Sequence, residues 1–246
     1  MAKVIVSAGC SMAWGMGLRE ARDKYSRVIA STYGRNLIDV SCAGASNEHI
    51  ASCGVYGVHQ ALLRNQPEDI VIVVGWTEQA RMEYWDVQTE IIKSAMVQRK
   101  IPPHLINVPS FIDESVLFDF VGRNMWSPGF GYYRLLHAFN YLNSFCESRG
   151  VKIINKANIS LFKIKLPPTK QRNTLNNPSL FTESVLTPSQ QVVFDSLFEK
   201  DCSFGDFIQA GGDKFCVSET DLHPSSMAHR LWAERIINEN KNVLGS

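Results

Sequence analysis

The chain has 246 residues, 45% of them hydrophobic and 20% charged, the profile of an ordinary globular protein with room for one large α/β domain or two small ones. With 25 Lys+Arg against 24 Asp+Glu the formal net charge is +1, which excludes the broad positive field that non-specific nucleic-acid binding needs. No window reaches the ~18 apolar residues of a membrane-spanning helix, so neither a nucleic acid nor a membrane is an expected partner.

The first apolar run, residues 4–8, is rich in β-branched side chains and leads into Gly9-Cys10-Ser11. Similar runs follow at residues 37–40 and 70–74, and a fourth at 151–154 comes after a helix predicted over 132–148. Helical-looking sequence separates them, which is the rhythm of β-α-β units and of a parallel sheet buried on both faces. Such units wind right-handedly and gather their functional loops at the carboxyl ends of the strands. A last helix is predicted from Pro224 onward. Its Ala228, Leu231, Trp232, Ile236 and Ile237 face the sheet, Arg230, Glu234, Arg235 and Glu239 face away, and its N-terminus lies near the strand ends.

Two stretches break the rhythm. Residues 78–131 are rich in prolines and aromatics such as Tyr84, Trp85 and Phe111, and residues 163–205 carry Pro167-Pro168 and Asn176-Asn177-Pro178. Both are read as insertions over the strand ends of a single domain spanning 1–246. The first is either a packed helical flap or a sugar-stacking lid, and the basic part of the second is a solvated loop.

Six cysteines are scattered without a C-x-x-C pair, so reduced thiols in a cytoplasmic setting are expected. Ser7-Ala8-Gly9-Cys10 has the letters of a lipoprotein cleavage box, but only nine residues precede the cysteine and they form no leader, so a signal peptide is not expected. His49, His59, His104 and His137 lack ligand spacing and paired carboxylates; no metal and no cofactor is expected. Gly15-Met16-Gly17 and Gly211-Gly212 lack the pattern of phosphate loops and read as turns.

A buried strand ending in Gly-x-Ser and entering a helix presents the serine at the carboxyl edge of the sheet, with backbone N–H groups around it. Ser11 is then either a nucleophile or the N-cap of that helix. Cys10 alternates away from it and is expected to point into the sheet as a small apolar group. A serine nucleophile needs a base, and the base needs an orienting group. Asp221-Leu222-His223-Pro224 supplies both: at i and i+2 of a turn the carboxylate can accept from one imidazole nitrogen while the other faces the serine. The competing reading has Asp221 or Thr220 capping the last helix, with His223 incidental. His229 falls on another face and reads as a surface or core histidine.

Ser11 near the start, Asp-x-His before the final helix, and a parallel sheet between them resemble the SGNH (GDSL-like) hydrolase family. The first block reads Gly9-Cys10-Ser11. The second is Gly44 with Ser46-Asn47 opening a helix, the third is Gly75-Trp76-Thr77-Glu78, and the last is Asp221-Leu222-His223. The resemblance implies an α/β fold of three layers, α/β/α, with a central parallel sheet of flavodoxin-like order. It implies a serine esterase cleaving an acyl ester, with Ser11 as nucleophile, His223 as base and Asp221 as its orienting group. It also implies an oxyanion hole built from the N–H groups of Ser11 and Gly44 plus a third donor. The family's asparagine position holds Thr77 and its aspartate position Glu78, so Thr77 and Asn47 are both candidates for that donor. The implied substrate is a small-molecule or glycan ester, and the aromatics of the first insertion point toward O-acetyl groups on a glycan. The Gly-Cys-Ser-Met and Gly-Trp-Thr blocks are similar to those of SGNH-type proteins of tailed bacteriophages, which adds a virion as a second setting. The altered third block motivates a different class of function, a catalytically weakened fold serving as a glycan-binding or virion structural module. Strand rhythm alone also admits a nucleotide-binding or transferase domain, but no glycine fingerprint accompanies it.

Overall fold

The β-branched runs at residues 4–8 and 70–74 form strands in which every residue is buried. The computed structural model describes residues 3–79, 81–86, 91–96, 128–159, 161, 186–199 and 201–245. Its strands are Val4–Gly9 (β1), Asn36–Asp39 (β2), Ile70–Trp76 (β3), Arg81–Asp86 (β4), Ile91–Met96 (β5) and Lys152–Ala157 (β6). The helices are Ser11–Trp14 (α1), Tyr25–Thr32 (α2), Asn47–Leu62 (α3), Pro128–Arg149 (α4), Pro188–Ser196 (α5), Phe204–Gly211 (α6), Ser226–Glu239 (α7) and Lys241–Leu244 (α8).

Four strands make one parallel sheet in the order β2-β1-β3-β6. The central pair, β1 and β3, is buried at every residue, as expected of strands with a helical layer on each face. The chain steps one way from β1 to β2 and the other way from β2 to β3, so right-handed connections place α2 and α3 on opposite faces. Accordingly α3 packs on β1 and β3 with α4 beside it, while α2 packs on β1 and β2 with α7 behind it. This is the three-layer, flavodoxin-like arrangement. The winding reverses between β1 and β3, the place where open α/β sheets form a crevice at their carboxyl edge.

The helices bury what their periodicity dictates. Along α4, Leu135, Phe139, Leu142 and Cys146 recur at helical spacing and are fully buried. Phe194 of α5 meets Phe139 with ring centroids 5.0 Å apart, and Trp232 of α7 stacks on Phe204 of α6 at 5.0 Å.

Several boundaries differ from the sequence reading, each for a local reason. The last helix starts at Ser226 instead of Pro224: the Ser225 side chain caps it by accepting the Ala228 N–H, while Pro224 pairs with Cys216 in an isolated antiparallel bridge. Its buried face is Ala228, His229, Trp232, Ala233 and Ile236; Leu231 is exposed. Its main partner is α2 and not the sheet, which it reaches at the β6 edge through an ion pair between Glu239 and Lys156. Within residues 78–131 the described part is an antiparallel β4–β5 pair, with Arg81 opposite Met96, where a helical flap was expected. That segment also gives up its last four residues to α4, which begins at Pro128. Within 163–205, Pro188–Ser196 is helical because Thr187 and Gln190 form a reciprocal capping box around Pro188. Of the aromatics on which the sugar-stacking lid was read, the side chains of Tyr84 and Trp85 and the whole of Phe111 lie outside the described residues, whereas Phe130 is described and exposed near the start of α4; Lys163, Lys165, Lys170 and Arg172 of the basic loop also lie outside them. Among the described residues no helix is long and apolar enough to cross a membrane.

Candidate active site

Ser11 occupies the switch point. β1 ends at Gly9, Cys10 takes the N-cap position, and Ser11 is the first residue of the four-residue α1. A Cβ on Gly9 would lie 2.5 Å from the Ala13 Cβ, so only glycine lets this short helix fold back onto the strand end. Gly15 closes the helix in the left-handed region at φ 80°, its N–H donating to the Ser11 carbonyl at 3.0 Å. Ser11 is therefore not the capping residue. It is 6% exposed, and its hydroxyl makes no hydrogen bond among the described residues. Cys10 is fully buried with its sulfur 3.7 Å from the Asn158 amide nitrogen, the environment of a small apolar group.

Asp221 and His223 form the second half of the site. The Asp221 Oδ1 lies 2.6 Å from His223 Nδ1 and also accepts the His223 backbone N–H at 3.0 Å. The turn that carries them is tied by its own backbone. The Val217 N–H donates to the His223 carbonyl at 2.8 Å and the Ser218 N–H to the Asp221 carbonyl at 3.2 Å, while Ser218 Oγ accepts the Asp221 N–H at 3.0 Å. Burial alone would push the Asp221 carboxyl up, but the two His223 hydrogen bonds and the charge of its ring outweigh this and hold it below its ordinary value. Since Ser225 caps α7, neither Asp221 nor Thr220 serves as the cap. With Nδ1 engaged, Nε2 is the ring nitrogen without a partner among the described residues. A Cβ on Gly17 would fall 3.0 Å from Asp221 Oδ2 and 2.9 Å from Val217, so the Asp-His turn packs directly on the loop that follows α1. Ser11 and His223 are not hydrogen-bonded to each other in this structure.

The second and third blocks meet beside them. The Cys42 N–H donates to the Gly9 carbonyl at 2.9 Å, and Gly44, at φ 78°, turns the chain toward the Ser46 cap of α3. Neither the Ser11 nor the Gly44 N–H has an acceptor among the described residues. Asn47 is buried and grips the Thr77 backbone at both ends, its Nδ2 donating to the Thr77 carbonyl at 3.0 Å and its Oδ1 accepting the Thr77 N–H at 2.9 Å. Thr77 is fully buried and its hydroxyl donates to Glu78 Oε2 at 3.1 Å. In this structure the one O–H hydrogen of Thr77 is therefore engaged with Glu78. Asn47 does not swing freely either, but keeps one amide hydrogen uncommitted. Glu78 also pairs with Arg81 Nε. Burial lowers the Arg81 pKa, but the Glu78 charge and hydrogen bond outweigh it, so the guanidinium is held more firmly protonated.

Three further residues were not read from the sequence as belonging near this site. Asn158 follows β6 and inserts its amide across the strand ends, donating to the Gly75 carbonyl at 3.2 Å while its Oδ1 is buried with no hydrogen-bond partner among the described residues. A polar residue just past an apolar run at the carboxyl edge was its signal, hidden because β6 continues beyond residue 154. Trp14 and Met16, after Ser11, are large, apolar and exposed. Among the described residues no group of three His, Cys, Asp or Glu side chains is placed to hold a metal ion.

No family model matches the chain, and no curated protein matches it. Among solved structures, the psychrotrophic esterase EstA from Pseudoalteromonas sp., inhibited by monoethylphosphonate, is similar at 14% identity and TM-score 0.49, over 99% of this chain and 100% of that one. A member of the lipolytic protein G-D-S-L family from Veillonella parvula is similar at 11% identity and TM-score 0.45 over 96% of each chain. TesA is similar at 14% identity and TM-score 0.42, over 98% of this chain and 99% of that one. At such identities and scores these likenesses carry no weight for the chemistry, which stands on the geometry of this chain.

Proposed function

We propose that the protein is a serine esterase of the SGNH type. Ser11 attacks the ester carbonyl as its proton passes to His223 Nε2, and the same proton is returned to the departing alcohol. Water, activated by His223, then releases the acid from the Ser11 acyl ester. Asp221 fixes the ring tautomer and balances the imidazolium. The N–H groups of Ser11 and Gly44 are the oxyanion donors, and the remaining Asn47 amide hydrogen is the third candidate. A lost oxyanion donor typically costs about 10²–10³-fold in turnover. No cofactor takes part. The single observation that carries this reading is the Asp221–His223 contact at 2.6 Å, in a turn packed on the loop that follows Ser11. An O-acetyl glycan substrate keeps little support from the described residues, because Phe130 is the one aromatic of that set whose side chain lies among them, exposed and with Arg134 over its ring.

The test is hydrolysis of p-nitrophenyl esters by the native protein and by Ser11→Ala. A loss of at least 10³-fold in the variant is expected. Equal rates would favour the alternative, a weakened fold that binds without turning over.

A further inference from the structure

We propose that Trp14 and Met16, together with Leu222 of the histidine turn, form an apolar acyl subsite that selects medium-chain esters over acetyl esters. This rests on the reading of Ser11 as nucleophile. Four of the twelve large hydrophobic side chains exposed among the described residues lie on the two short segments that carry the catalytic groups: Trp14 at 45%, Met16 at 41%, Val217 at 37% and Leu222 at 69%. Apolar surface gathered this way marks a binding site more often than scattered single residues do.

The placement follows from the backbone. Trp14 is one helical turn beyond Ser11 and on its side of α1. The Met16 N–H donates to the Ser11 carbonyl at 3.0 Å, which folds Met16 back toward the same point. Lys24, held by Asp39 at 3.0 Å, sits 5.6 Å from the Trp14 ring centroid, so the indole is braced and still open to solvent. On the other side Val217 packs against the Gly17 loop, and Leu222, between Asp221 and His223 in the chain, is exposed.

Apart from the indole N–H these side chains carry no strong hydrogen-bonding group, whereas a sugar site needs several donors and acceptors around its stacking ring. The acyl portion is the fitting occupant because it stays bonded to Ser11 through both steps, so a subsite on the helix of Ser11 acts in each. Burying one methylene is worth roughly fourfold in affinity, so covering two exceeds tenfold.

The experiment compares kcat/KM for p-nitrophenyl acetate, butyrate, hexanoate and octanoate with the native protein, Trp14→Ala, Trp14→Phe and Leu222→Ser, each checked for fold by circular dichroism. A native octanoate-to-acetate ratio above 10 is expected. It should fall about tenfold in Trp14→Ala and in Leu222→Ser and recover in Trp14→Phe. A native ratio near or below 1, or a ratio unmoved by Trp14→Ala, overturns the subsite. Failure of the esterase reading is a separate result, absence of hydrolysis of every ester. The subsite then stands or falls on binding of octanoate and acetate to the Ser11→Ala protein, measured calorimetrically. At least tenfold tighter octanoate binding is expected, and equal binding overturns it.

Discussion

His229 shows how a single buried ring sets a pH response outside the Asp221–His223 pair. Its Nδ1 accepts the Tyr25 N–H at 3.2 Å, so a neutral ring carries its proton on Nε2, which is buried without a partner. Burial pulls its pKa down from 6.5 to about 3, with Asp23 opposing and Lys24 adding to the effect. The depressed value fixes the sign. The unfolded chain takes up a proton below pH 6.5 while the folded ring does not, so this contribution to stability is whole above 6.5 and is lost as pH falls toward 3. Between pH 7 and 5 the loss is about 2 kcal/mol. Urea unfolding at the two pH values should show this in the native protein and a smaller loss in His229→Gln; equal losses would contradict it. At the same scale the Asp-x-His spacing was readable because its contact is local, two residues apart. The Asn47–Thr77 grip was not, because it joins residues thirty apart whose meeting depends on the β1–β3 pairing.

At the scale of elements, the strands were readable from their β-branched runs, most plainly in β1 and β3, where every residue is buried. Their ends were not. β3 continues through Gly75-Trp76 and β6 through Asn155-Lys156-Ala157, where the β-branched run stops but the ladder does not. Pro224 suits a first helical position, yet Ser225 offers the better cap and takes the start of α7 from it. The carboxyl edge of the sheet depends on small residues. A Cβ on Gly75 would lie 2.2 Å from the Asn158 amide nitrogen and 2.5 Å from its carbon and oxygen. Gly75→Ala should therefore destabilise by about 1–3 kcal/mol through overpacking. In an Asn158→Ala background the clash is gone, so the same substitution should cost measurably less in urea unfolding. Equal costs in the two backgrounds would remove Asn158 from this account.

For the whole molecule, topology joins the two ends of the chain. Winding outward from β1 in both directions leaves the first strand in the middle of the sheet, with Ser11 at its carboxyl edge. The Asp221–His223 turn then comes to rest on the loop after α1, some two hundred residues away in sequence. The fold class was legible from strand rhythm, and the Asp221–His223 contact from the two-residue spacing of its partners. The β4–β5 pair was not, since its residues lack the clean alternation of a half-buried hairpin.

Intact-mass measurement after exposure to an alkyl fluorophosphonate, followed by peptide mapping, tests the esterase reading most directly. One adduct on Ser11 is expected, absent in Ser11→Ala and formed at least 10²-fold more slowly in His223→Ala. A native protein that stays unmodified, or that is labelled at another residue while Ser11 remains free, would contradict it.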